Sequence, residues 1–173
     1  MGDIFKDLNL KCFLGLLFNQ SVCLNSVYES IEKTYGSIDT YSDIFPFTHT
    51  QYYEKEMGTH LQKQFLSIKT LVAPSEFSKI KKLSNDIEIN FSINNLRNIN
   101  IDPGFLSPHN VLLLSTKNFS HRIPVGNGIY AELTLLFKNK QFKTVDWTYP
   151  DFKFKEYQSY LLKLRKQYLT EIQ

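Results

Sequence analysis

Asp102, Lys117, His121, Arg122 and Glu132 lie between Asn100 and Asp151, each beside a residue that shapes a turn or caps a helix. Such positions let a fold aim several side chains at one point. Lysine and arginine hold phosphate or carboxylate, the guanidinium as a planar fork and the ammonium as a point charge. Asp102 or Glu132 beside them would supply a general base. Tyr52, Glu54 and Glu56, in the stretch THTQYYEKEMG from Thr48 to Gly58, add further polar groups, with glutamate as base or metal ligand. Together these eight residues predict a binding site for an anionic small molecule or a nucleotide, with no catalytic residue or cofactor assigned.

All of these residues but Lys117 also have a plainer explanation. Asp102-Pro103-Gly104 reads as a turn, with proline fixing one backbone angle and glycine permitting another. Arg122 and Glu132 could form only a cross-strand pair, worth about 0.2 to 1 kcal/mol. Tyr52, Glu54 and Glu56 also suit a capped surface helix. His49, His60, His109 and His121 are scattered without ligand spacing, so no metal site is expected.

The elements that must position these groups follow from periodicity. Cys12 to Phe18 is a continuous apolar run, the pattern of a central strand covered on both faces. Leu24, Val27, Tyr28, Ile31 and Tyr35 form one helical stripe ended by Gly36. A strand from Ile38 to Phe45, a short helix from Thr50 to Gly58 and a strand from Phe65 to Val72 follow. Pro74 opens a helix with Phe77, Ile80, Leu83, Ile87 and Phe91 inward, leaving Lys79, Lys81 and Lys82 mostly on a solvated face. Asn94 to Asn98 is a polar connector to a short strand, Ile99 to Ile101.

That order, strand, helix, strand, strand, helix, strand, predicts an α+β fold with a ferredoxin-like βαββαβ core. Beyond it, Ser107-Pro108 is read as the start of a short helix carrying Val111 to Leu114. Ile129, Ala131, Leu133, Leu135 and Phe137 then alternate with polar residues. A three-residue loop, Gly126 to Gly128, sets Ile123 against Ala131 and Arg122 against Glu132, where a two-residue loop would mix the faces. This register turns His121 toward the core, opposite Leu133. The extension is a β-hairpin or, with Gln141 to Trp147 as a third strand, a three-strand meander; Tyr149-Pro150-Asp151 breaks it, and a long amphipathic helix runs from Tyr157 to Ile172 with Lys163, Arg165 and Lys166 near its outer side.

The 173 residues suit one domain, 1–173. An aromatic content of 14% argues against disorder. A sequence pI near 8.7 gives no strong nucleic-acid signature. Cys12 and Cys23 cannot frame a disulfide scaffold and stand in no zinc spacing. The first residues, Met1 to Asp7, match neither a secretory leader nor a myristoylation signal. The longest apolar run is far shorter than the roughly 20 residues of a membrane span. A cytoplasmic protein without a membrane anchor is expected.

Five patches carry a resemblance. They are Phe45-Pro46-Phe47 with Tyr52 to Gly58, Asp102-Pro103-Gly104, Ser115-Thr116-Lys117 with His121-Arg122-Ile123, Gly128 to Glu132, and Trp147 to Asp151. In that order the chain resembles, from about Lys11 to Tyr168, the bacterial family known as domain of unknown function 4416. The resemblance implies no established activity. Members are often labelled GTP-binding, but no glycine here begins the GxxxxGK[ST] loop that wraps phosphates. Asn139-Lys140-Gln141-Phe142 starts like a guanine-reading NKxD and places Phe142 where the carboxylate belongs. Alternatives from other classes are an RNA- or protein-binding module using the sheet and the basic last helix, and a structural homo-oligomer.

Overall fold

A computed structural model of the chain describes Asp3, residues 7–94 and residues 96–173. The leader and lipidation reading at Met1, Gly2 and Ile4 to Lys6, and Asn95 of the connector, lie outside the described residues. The described residues form an α+β structure with nine strands in one sheet. The strands are β1 (Lys11–Phe18), β2 (Ile38–Tyr41), β3 (Phe45–Pro46), β4 (Gln62–Ile68), β5 (Ile99–Leu106), β6 (Asn110–Ser115), β7 (Arg122–Pro124), β8 (Tyr130–Lys138) and β9 (Gln141–Thr144). The helices are α1 (Leu24–Tyr35), α2 (Glu54–Met57), α3 (Phe77–Asn90) and α4 (Lys155–Glu171). Strand order is β2-β4-β1-β5-β6-β8-β7, with β3 beside β4 and β9 beside β8, and neighbouring strands are antiparallel.

β1 is central, and its side chains alternate between two cores. Cys12, Leu14, Leu16 and Phe18 pack with Val27 and Ile31 of α1 and Phe77, Ile80 and Ile87 of α3. Phe13 faces the other way, toward Tyr157, Tyr160, Leu161, Leu164 and Tyr168 of α4. Leu17, on that second face, joins a small cluster with Met57 and Leu61 that holds down α2. Each buried leucine or phenylalanine contributes roughly 1.5 to 3 kcal/mol, so α4 is anchored chiefly by its apolar stripe.

The hairpin register is as derived: Arg122 pairs with Glu132 and Ile123 with Ala131, and Val125 donates its N–H to Ile129. Gly126, Asn127 and Gly128 all take positive φ, the reason a loop of these residues fits. α1 and Gly36, at φ 91°, also stand where the stripe put them.

Several expectations are corrected. The strand expected from Ile38 to Phe45 splits into β2 and β3, because the Ser42 N–H still bonds the Phe65 carbonyl but the Ser42 hydroxyl, not its carbonyl, takes the Phe65 N–H in return. The helix from Thr50 shrinks to the single turn of α2, since Thr50 Oγ1 accepts only the Tyr52 N–H and caps a turn. β4 starts three residues earlier than Phe65 and ends at Ile68. Lys81 is buried rather than solvated, while Lys79 and Lys82 are exposed.

Asp102-Pro103-Gly104 is no turn but the middle of β5, with Gly15 opposite Asp102 and Phe13 opposite Gly104. Pro103 is tolerated because its missing N–H falls on the side where β6 has already diverged. Gly104 is required because a Cβ there would lie 2.2 Å from the Phe13 ring. Ser107-Pro108 starts no helix either. Ser107 Oγ accepts the N–H groups of His109 and Asn110, and the chain doubles back as β6. A capping hydroxyl serves a hairpin as readily as a helix.

Candidate functional site

β5 and β6 pair only from Gly104 to Leu106, opposite Leu113 to Val111. Toward its start β5 has no β6 partner, and α3 occupies the gap. Ile101 donates its N–H to Glu88 Oε1 at 2.7 Å and accepts from Lys81 Nζ at 3.1 Å. Beside this gap, on the α4 face of the sheet, lies a cavity of about 770 Å³. Its floor is Gly15, Leu17, Lys63, Asn100, Asp102, Leu113 and Glu132, and the segment from Phe47 to Tyr53 and Tyr149 to Phe152 form walls.

Of the eight residues singled out from sequence, Tyr52, Asp102, Lys117, Arg122 and Glu132 line this one cavity. Glu54, Glu56 and His121 do not. Glu54 borders a separate hollow with Gln20 and His60. Glu56 stands behind the wall, both oxygens 2.7 Å from the Arg97 guanidinium, which holds its carboxyl below the usual range. His121 is not opposite Leu133 in the core. β7 begins only at Arg122, so the imidazole leaves the register, stacks on Trp147 at 5.2 Å and sits 3.4 Å from Glu132.

Arg122 is committed to structure. Nε donates to Glu132 at 2.7 Å, Nη1 to Ser115 and the Lys117 carbonyl, and Nη2 to the Tyr149 hydroxyl at 2.6 Å. That clasp joins β7, β8, the loop after β6 and the cavity wall, and uses up most of the fork. Glu132 Oε1 is fully buried with no hydrogen-bond partner among the described residues. Tyr149 is pushed up to about 12 by burial, with the Glu132 charge adding to it. Lys117 is exposed at the rim, its ammonium 3.0 Å from the Tyr52 hydroxyl, which it holds below the usual phenol range.

The deeper charges went unmarked in the sequence. Lys81 reaches Asp102 at 3.3 Å, and Arg97 adds Glu88 at 3.2 Å and Asn100 at 2.8 Å. Burial would raise Asp102, but Lys81, then Lys63, and the Asn100 amide outweigh it and hold the carboxyl below its ordinary value. Its side chain stays 34% open, toward the cavity. Burial lifts Glu88 in the opposite direction, against the pull of Lys81.

Lys63 differs from all of these. It is only 5% exposed, and its ammonium makes no hydrogen bond among the described residues. Its nearest carboxylate is Asp151, at 3.9 Å, which in turn accepts no side-chain hydrogen bond among them. The lysine crosses β1 at Gly15, where a Cβ would lie 3.3 Å from both Cε and Nζ. The absence of that Cβ is what leaves room for the ammonium above the floor. A signal for it existed: Leu61, just before β4, and Lys63, Phe65 and Ser67 within it alternate with their neighbours, and all but the lysine are residues expected or able to be buried.

The family described as domain of unknown function (DUF4416) matches residues 8–168. This chain belongs to that family. The DUF4416 match spans every element that lines the cavity. No curated protein and no solved structure matches the chain. Among its described residues no helix is long and apolar enough to cross a membrane.

Proposed function

We propose that this protein binds a phosphate-bearing small molecule in the cavity beside β5, with Lys63 as the buried anchor of the anion and Lys117 at the rim. The observation that carries this reading is Lys63, a residue only 5% exposed whose ammonium opens onto a large cavity with no hydrogen bond among the described residues and its nearest carboxylate 3.9 Å away. Buried charges are normally paired and hydrogen-bonded, and an oxyanion supplies both at once. Arg122, first considered for this part, instead holds the wall in place. Asp102 and Glu132 stand in the same cavity as candidate bases, and whether a reaction follows binding depends on the ligand's own chemistry.

Calorimetric titration with inorganic phosphate, pyrophosphate and a nucleoside monophosphate tests the reading. Binding by the native protein that falls about tenfold or more in Lys63→Met supports it, that being the loss of one charged hydrogen bond. No heat from any of the three overturns it.

We also read β2-β4-β1-β5, with α1 and α3 on one face, as a ferredoxin-like core to which β6 to β9 add a second half of the sheet. A cytoplasmic setting has the support of two free cysteines, Cys12 buried and Cys23 exposed. The RNA-binding alternative has less support, since α1 and α3 cover one face of that core and α4 covers part of the other.

A further inference from the structure

We infer that the ligand is a phosphorylated polyhydroxy compound of the sugar phosphate class, its phosphate taken by Lys63 and a neighbouring hydroxyl by Asp151. This rests on the anion site proposed above and deepens it. Where floor meets wall, the cavity holds an ammonium and a carboxylate 3.9 Å apart, Lys63 at 5% and Asp151 at 8% exposure, neither side chain hydrogen-bonded among the described residues. Direct contact between them would be shorter, about 2.7 to 2.9 Å for a charge-assisted bond. Left at this distance, the ammonium offers three donors and the carboxylate only acceptors. A ligand that satisfies both must present an acceptor and a donor side by side.

A phosphate ester of a polyol does so: phosphate oxygens accept from Lys63, and a hydroxyl on the adjoining carbons donates to Asp151. The rest of the lining extends the same pattern. Asp102 has its Oδ1 taken by Lys81 and its Oδ2 by Asn100, yet its open side can accept from a second hydroxyl. Asn85, Thr116 and Asn118 add neutral donors and acceptors farther round the wall. An α-amino acid also carries a donor beside an acceptor. It would occupy only a small part of about 770 Å³, however, and leave these neutral groups unused.

The test compares glycerol 3-phosphate and ribose 5-phosphate with propyl phosphate, which has the ester but no free hydroxyl, and with serine. Each is titrated calorimetrically into the native protein, Lys63→Met and Asp151→Asn. The polyol esters are expected to bind about ten- to hundredfold tighter than propyl phosphate, the range of a hydrogen bond to a charged group. Asp151→Asn should erase most of that advantage while leaving propyl phosphate binding intact, which also shows that the variant is folded. Equal affinity for propyl phosphate and the polyol esters overturns the hydroxyl assignment and leaves the anion site standing, as does an unaltered preference in Asp151→Asn. Tight binding of serine in place of the esters overturns the substrate class. Failure of every phosphate ester to bind overturns the anion site itself.

Discussion

Lys11 and Lys63 extend from neighbouring strands onto the same face of the sheet, and both are buried, but their surroundings are opposite. Lys11 is 0% exposed and fully engaged, 2.5 Å from Asp39 and 2.9 Å from Glu171. Gln167 and Ser67 bond the same Asp39, and the Thr40 hydroxyl links Ser67 to Tyr160. This network rivets α4 to β1 and β2. Lys63 faces a cavity without any such set of partners. Burial alone therefore does not tell a structural lysine from one kept for a ligand; the number of hydrogen bonds to the ammonium does.

The sharpest test of that contrast is Lys11→Met. It leaves two partly buried carboxylates without their cation and should cost roughly 3 kcal/mol of stability by urea denaturation. Lys63→Met should move the urea midpoint far less, because no hydrogen bond to the ammonium is lost and its nearest carboxylate is 3.9 Å away. Equal losses from the two substitutions would erase the distinction.

A smaller effect is expected from Gly15→Ala. The new methyl would press on Cε and Nζ of Lys63, a flexible chain end, and on the edge of the buried Phe65 ring, each at 3.3 Å, so stability should fall by about 1 to 2 kcal/mol. Phosphate affinity should nevertheless fall, because the ammonium is displaced from the floor. Calorimetry and urea denaturation on the one variant separate the two results.

The smallest effect concerns pH. Asp102 has its folded pKa held below the ordinary value, so its contribution to stability is present above the unfolded aspartate range, near about pH 4, and is lost as pH falls through the lowered value. Asp102→Asn should flatten the acid side of the stability profile, read as urea midpoints from neutral pH downward. Glu88, raised by burial, works in the other sense: its contribution is present below the unfolded glutamate range and lost as pH rises through the raised value. A steeper acid fall in Asp102→Asn would contradict this assignment.

Much of the fold was legible because apolar spacing decides it. The continuous run of β1, the stripe of α1 and the loop that fixes Arg122 against Glu132 each follow from a single periodicity. Misreadings arose where one local signal serves two structures. Ser107 caps a turn in either a helix or a hairpin, and Asp102-Pro103-Gly104 resembles a turn until β1 is known to pair with it.

The cavity was half legible for a related reason. Lys117, Arg122 and Glu132 stood out by clustering along the chain, whereas Lys63, Lys81, Arg97 and Asp151 come from a strand, a helix, a connector and the segment before α4, and only the tertiary fold brings them together. Lys81 did leave a trace. Phe77, Lys81, Ser84 and Glu88 are spaced four, three and four apart, a helical stripe whose polar members are buried with the apolar one.

The gap between β5 and β6 has a consequence for exchange of backbone protons. In the adjoining ladder an amide is guarded by another strand, and its release requires the sheet to separate. The Ile101 amide is guarded by one carboxyl group, that of Glu88 on a helix. Ile101 and Glu88 are both buried, so a shift of α3 rather than separation of strands uncovers this amide, and its exchange with solvent deuterium is expected to follow α3 and the charges around Glu88. An anion entering the cavity would change those charges, giving the core of the molecule a single amide that reports occupancy.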